Sequence, residues 1–437
     1  MMVEHVGARG TFTAGPMRGA PGRARAILAA ASLLAIASPS DALEVSGRVE
    51  IEPRAFLHAP EHPRQKHHGL SFAVQPEFYH SFDDDRQSLV FTPFLRLDTA
   101  DDRRSHFDVR ELMYQRVFDD FELRAGIGRV FWGVTESYHL VDVINQTDLV
   151  ENIDLEDKLG QPLVNLTLAR DWGVLDLFVL PGFRERTYPG REGRLRPEPY
   201  VDTNRATYES GAGRDRVDLA MRWSNAIGDF DIGVAHFRGT SREPRLLPLG
   251  LCADGQPAPQ LQCPPAGPPT APPAEVVLAP RYEVVRRTSL DLQATKDATL
   301  WKLELLLESG QGGSHVAWVG GFEYTWYGIN ESDSDLGLLV EHLFDGRGGR
   351  APHPLENDLF AGVRLALNDE AGTDLVAAVI ADAEGDGTAI TVEASRRIGD
   401  DWKVELEARA WNGVEDDDQL APLRRDDYVQ LTLSRFF

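Results

Sequence analysis

From residue 46 to the terminal Phe437, apolar and polar side chains alternate with period two, and helical periodicity is nearly absent. In the clearest run, Trp402, Val404, Leu406, Ala408 and Ala410 form one face and Lys403, Glu405, Glu407, Arg409 and Trp411 the other. Trp301, Leu303, Leu305 and Leu307 oppose Lys302, Glu304 and Glu308 in the same way. Phe121, Leu123, Ala125 and Ile127 oppose Glu122 and Arg124, and Val217, Leu219, Met221 and Trp223 oppose Asp218 and Arg222. Such segments are antiparallel strands with one apolar face, and they must close into a sandwich or a barrel. Alternation alone does not choose between the two.

Connection lengths choose. Eighteen strands can be read between 46–57 and 428–437, with 16 as the alternative count. The links after even-numbered strands are short: 171–172, 228–229, 296–297, 368–372 and 399–401. The long links, 133–161, 182–214, 240–281, 345–357 and 413–427, all follow odd-numbered strands. A transmembrane barrel with short inner turns and long outer loops has this asymmetry. In that arrangement the apolar face meets lipid, where a mid-bilayer Lys or Arg costs about 2–4 kcal/mol. The charged face, including Arg96, Glu122, Arg124, Arg222, Lys302, Glu304, Lys403, Glu405, Glu407 and Arg409, then lines the lumen. Eighteen strands enclose a lumen too wide for side chains alone to fill.

The chain ends in mid-strand, YVQLTLSRFF, with Val429, Leu431 and Leu433 on one face. This ending resembles the C-terminal signature by which outer-membrane β-barrels are recognised for assembly. Arg435 departs from it, standing where a third apolar residue is usual. The resemblance implies an outer-membrane location, lipid around the barrel, and the barrel-assembly machinery as a partner through the last strand. At the other end, Arg18, Arg23 and Arg25 precede the apolar run Ala26–Ala37, followed by Ser40-Asp41-Ala42. That pattern is a secretory signal peptide over 1–42, and the run is too short for a helical membrane span. Residues 43–437 are then the mature barrel. Residues 1–42 carry four Arg against Glu4 and Asp41, so the chain's net charge of −24 becomes −26 on the mature part. This acidity argues against nucleic-acid partners. Lys is scarce, five in the whole chain, and the fixed geometry of Arg suits ion pairs inside a lumen.

One long link stands apart. Residues 133–161 contain Leu140, Val141, Val143, Ile144, Leu149, Val150, Ile153, Leu155 and Leu159, which a free surface loop would lack. The segment therefore packs against something. In porins, which this chain resembles in architecture, the third outer loop folds into the barrel and forms the constriction; an outer lid is the alternative. Seven acids, Glu136, Asp142, Asp148, Glu151, Asp154, Glu156 and Asp157, face only Lys158 within it. Acidic rings favour cations, unless these carboxylates are absorbed in pairs with wall arginines.

The expected function is a porin passing small hydrophilic solutes, with a mild preference for cations. The alternative is a substrate-selective transporter or a polysaccharide-export barrel, of which alginate-export barrels are a similar 18-stranded type. Oligomerisation is left open. No nucleophile elbow or acid–base constellation points to catalysis, and no cofactor is expected. His58, His62, His67 and His68 cluster in one link, but without a ligand scaffold no metal site is assigned. Cys252 and Cys263, both in a Pro-rich link of an exported chain, are expected to form a local disulfide. Protease added to intact cells should cut within 182–214 or 240–281 and spare the short turns. Cleavage at Asp171 or Gly228 would invert the topology.

Overall fold

The computed structural model describes residues 43–252, 257–258, 275–416 and 418–437. Eighteen of its strands make one sheet. They are β1 (Glu44–Phe56), β2 (His68–Phe82), β3 (Gln87–Asp98), β4 (His106–Val117), β5 (Glu122–Gly128) and β6 (Gln161–Arg170). There follow β7 (Gly173–Pro181), β8 (Val217–Ile227), β9 (Phe230–Thr240), β10 (Val284–Lys296), β11 (Thr299–Gly310) and β12 (Gly313–Trp326). The last six are β13 (Asp335–Asp345), β14 (Asn357–Ala366), β15 (Asp374–Asp382), β16 (Thr388–Ile398), β17 (Trp402–Asn412) and β18 (Tyr428–Phe436). Each pairs antiparallel with the next, and β18 returns to β1, placing Ile51 opposite Leu433 and Phe56 opposite Tyr428. Phe437 and Gly47 exchange two backbone hydrogen bonds at the seam, each 3.1 Å. A Cβ on Gly47 would lie 2.6 Å from the Gln75 carbonyl oxygen and 2.9 Å from the Phe437 ring, so only glycine fits there. The closed barrel has no free edge, as a hydrocarbon environment requires.

The outward face is apolar. Ile51, Leu95, Leu177, Met221, Val234, Leu307, Leu359, Val363, Ile390 and Leu431 are all exposed on it. Near the short turns Phe121, Trp172, Phe230, Trp301, Trp326 and Trp402 form an exposed aromatic girdle. Arg435, the departure noted at the C-terminus, lies opposite Trp402, its guanidinium carbon 5.6 Å from a Trp402 ring centroid. A cation–π contact at the bilayer boundary thus accommodates it. With neighbouring strands paired all round, this is an outer-membrane-type β-barrel.

Above the barrel, Thr207–Tyr208, Arg245–Leu251, Pro257–Ala258 and Glu275–Tyr282 form a separate four-stranded sheet built from two long links. Cys263 lies outside the described residues, and with it the expected link to Cys252.

One irregularity positions a functional side chain. Between β3 and β4 the register slips at Thr92/Pro93, with Glu111 opposite Thr92 and Val109 opposite Pro93. Arg110 is the extra residue of a bulge, and Pro93, lacking an N–H, suits the break in the ladder. The bulge leaves Arg110 buried on the lumen side.

The face assignment has a measurable consequence. Val234→Arg, in the middle of β9, should destabilise the folded barrel by about 2–4 kcal/mol, whereas Phe230→Arg at the girdle should cost about 0–1 kcal/mol. Reversible unfolding by guanidinium in lipid vesicles would measure both. Equal costs would mean this face does not meet the bilayer core.

Candidate functional site

In the link between β5 and β6, the apolar residues from Leu140 to Ile144 meet the inner wall. Trp132, Val141, Val143 and Ile144 pack with Met113, Leu163, Phe178, Ala220, Phe237 and Val285 of β4 and β6–β10. Leu140 joins Leu306, Val319, Leu339, Leu343 and Phe360 of β11–β14. Val141 and Ile144 have no exposed surface, and burying each contributes roughly 1.5–3 kcal/mol.

Polar contacts complete the attachment. Glu304 of β11, fully buried, accepts hydrogen bonds at Oε1 from the N–H groups of Val134 (2.7 Å) and Thr135 (3.1 Å) and from the Thr135 hydroxyl. Its Oε2 accepts from the Val141 N–H at 3.0 Å. Glu341 of β13 takes the N–H groups of Glu136 and Ser137 at 2.9 and 2.8 Å. Two wall carboxylates thus satisfy the main chain of 134–141, which has no strand partner. Glu136 is ion-paired with Arg364 and with Lys302, the latter at 3.6 Å.

Farther along, the segment reaches a lattice of buried ion pairs. Asp148, with no exposed surface, accepts from Arg110 at 2.6 Å and from the Thr187 hydroxyl at 2.6 Å. Glu151 accepts from Arg96 at 3.0 Å, and Arg96 also donates to Glu52 of β1 at 3.0 Å. Arg104 donates to Glu52 at 2.6 Å and to the Val150 carbonyl at 2.9 Å. His106, Asp148 and Glu151 converge within 4.8 Å, but Arg110 and Arg96 already hold these carboxylates. Beyond this lattice the segment touches the closing strands. Asp154 lies 3.3 Å from Arg409 of β17, which donates to Glu407 at 2.6 Å, and Asn152 is 3.3 Å from Glu407.

The structure therefore sorts the charged residues singled out in the sequence. Arg96, Lys302, Glu304, Glu407 and Arg409 contact the segment. Lys403 and Glu405 pair with each other at 2.7 Å. Arg222 is held by Asp291 at 2.7 Å and lies over the Trp132 ring. Arg124 donates to Asn165 and sits 3.7 Å from Glu122 beside the 118–121 turn, away from the segment. Within the segment, Glu156 pairs with His139 at 3.2 Å and Asp142 with Lys158 at 3.4 Å. Burial raises the Asp142 carboxyl above its ordinary pKa, with Lys158 opposing. Asp157 makes no ion pair among the described residues. Sequence reasoning missed Glu52, Arg104, Arg110 and Glu341. The slip of alternation at Arg110-Glu111 was the available signal for one of them.

Two cavities flank the segment. The outer one, about 670 Å³, is lined by loops and by Tyr138, Tyr188 and Trp411. The inner one, about 380 Å³, lies against the walls of β1, β3, β16, β17 and β18. Asp154 and Lys158 line both.

No protein-family model matches the chain, and no curated protein is similar in sequence. Solved structures with a similar outline include Wzi of Escherichia coli, an outer-membrane protein involved in group 1 capsule assembly. It has a TM-score of 0.48 at 8% identity, over 88% of this chain and 83% of that one. A BenF-like porin from Pseudomonas fluorescens Pf-5 has a TM-score of 0.49 at 10% identity, over 90% and 97%. A mutant of the Rh. blastica porin has a TM-score of 0.41 at 9% identity, over 90% and 100%. Identities of this size transfer no residue to the site.

The anchoring geometry predicts a phenotype. Glu304→Ala combined with Glu341→Ala should leave five N–H groups of the segment without acceptors and loosen it, increasing open-channel current noise in planar bilayers. Unaltered noise in a folded double variant would show that packing alone holds the segment.

Proposed function

We propose that this protein is a water-filled outer-membrane channel for small hydrophilic solutes, exported by a signal peptide at 1–42, with 133–161 as its constriction. The observation that carries this reading is the pair of cavities meeting at Asp154 and Lys158, with Arg409 against Asp154 from the opposite wall. On this reading Asp154 and Lys158 border the path of a solute through the lumen.

The charge distribution supports a mild cation preference. The outer cavity is balanced, with seven carboxylates and seven Lys or Arg. The inner cavity has nine carboxylates against six, a net of −3. Arg96, Arg110 and Arg222 are each engaged by a carboxylate, which leaves Arg129 in the inner cavity and Arg186 in the outer one without an ion pair among the described residues, too few for the arginine ladder a dedicated anion path needs. A substrate-selective role has one observation in its favour. Tyr138, half-buried, gives the outer cavity an aromatic surface against which a sugar can pack, beside the buried Tyr188 and Trp411.

Point changes test the channel better than loop deletion. Removing 147–157 would take Glu151 from Arg96 and Asp148 from Arg110, leaving these buried arginines with Glu52 and Asp108, and would disturb the wall as well as the pore. Asp154→Asn should raise single-channel conductance by loosening Arg409 and lower the cation-to-anion permeability ratio. Proton titration should act in the same direction. Desolvation inside the barrel lifts Asp154 to about 6 against the pull of Arg409, and lifts Asp157 to about 7 together with Asp154, Glu151 and Asp148. A carboxyl with a raised pKa is charged above that value and neutral below it. Cation preference should therefore be full at pH 8 and fade as pH falls through 7 and then 6. Reversal potentials in asymmetric KCl at both pH values read this directly. A preference that is independent of pH and of Asp154 would place the selectivity elsewhere.

A further inference from the structure

The outward face carries few arginines, and those near the short turns are neutralised or stacked. Arg396 donates to Asp369 at 2.7 Å, Arg435 lies over Trp402, and Arg116 lies over Phe118. At the opposite end of the barrel the pattern breaks. Arg238 of β9 and Arg286 of β10 are direct cross-strand partners, both exposed and both on the outward face. Like charges directly opposed across a ladder destabilise it, yet neither has an ion pair or side-chain hydrogen bond among the described residues. The inward residues beside them, Phe237, Gly239, Val285 and Arg287, are buried, so the pair cannot turn into the lumen. Glu209 accepts from the N–H of Val284, at the end of β10, at 2.7 Å.

The level of the pair in the bilayer is set by its neighbours. One cross-strand pair below, His236 and Thr288 hydrogen-bond at 2.9 Å, and below them stand the lipid-facing Val234 and Leu290. Leu219 and Met221 flank it on β8 and Leu307 on β11, all exposed and apolar. Two unpaired guanidiniums thus sit at the upper boundary of the apolar belt, on the side of the long loops.

We infer that Arg238 and Arg286 form a binding site for a phosphate-bearing glycolipid headgroup of the outer leaflet, whose acyl chains lie along Met221, Val234 and Leu307. A phosphate between the two guanidiniums accepts charge-assisted hydrogen bonds from both and removes their mutual repulsion. The apolar flank explains why the ligand is a lipid and not a free anion.

The test uses the purified barrel in detergent, with native mass spectrometry titrated by bis-phosphorylated lipid A. The wild-type protein should retain this lipid, and Arg238→Gln with Arg286→Gln should weaken it about 30-fold, the effect of two basic groups at an anionic surface. Dephosphorylated lipid A should bind wild-type protein about 30-fold more weakly than the phosphorylated lipid, a comparison that needs no variant to fold. Arg238→Lys with Arg286→Lys should retain most of the affinity. Unchanged binding in the double glutamine variant, or equal binding of the two lipids to wild-type protein, would overturn the assignment. Inorganic phosphate competing at concentrations equal to the lipid would show an anion site without lipid recognition, and would overturn it as well.

Discussion

In hydrocarbon an unpaired backbone N–H or C=O costs several kcal/mol, and every other feature of this barrel depends on avoiding that cost. The β1–β18 seam removes the last free edge, and the two hydrogen bonds between Gly47 and Phe437 carry pairing to the final residue. Once closed, the ladder fixes which side chains point outward. Closure also creates a lumen wider than side chains can fill, and the 133–161 link occupies part of it through apolar contacts along an arc of wall from β4 to β14.

Inside, the dominant interactions are buried arginine–carboxylate pairs. Each is weak evidence for stability, because desolvation offsets most of the attraction. Their geometric role is plainer. Arg96 and Arg104 meet Glu52, and Arg110 meets Asp108, on one side, with Asp148, Glu151 and the Val150 carbonyl on the other. A segment held this way has one register against the wall. The acids that sequence counting treats as pore charge are therefore largely partners of the wall, Asp154 included through Arg409, and Asp157 is the one with no ion pair among the described residues.

The fold was legible because its code is local. Alternation and the even–odd link lengths gave the strand number, and lipid-facing Trp301 and Trp402 marked the girdle. The site was only partly legible. Glu304 reads from its position as a lumen charge, but its acceptors serve N–H groups more than 160 residues away, and no periodicity encodes that. Arg104 lies in a link with no alternation to place it. Arg110 reaches the lumen by a bulge, which appears in the sequence only as one extra residue. Glu122 and Arg124 share the lumen face with Arg409 yet stand far from the constriction, since alternation reports the face and not the depth.

Glu304 and Glu341 grip the segment mainly by its peptide N–H groups, with the Thr135 and Ser137 hydroxyls as additions. A clamp on the main chain is indifferent to what side chain each clamped position bears. Val134 can therefore be exchanged for another residue while its N–H stays held, whereas Glu136, Asp148 and Glu151 also carry ion pairs through their side chains. The architecture thus separates the mount, made by two wall carboxylates and the main chain, from the side chains that the mounted stretch presents to the lumen.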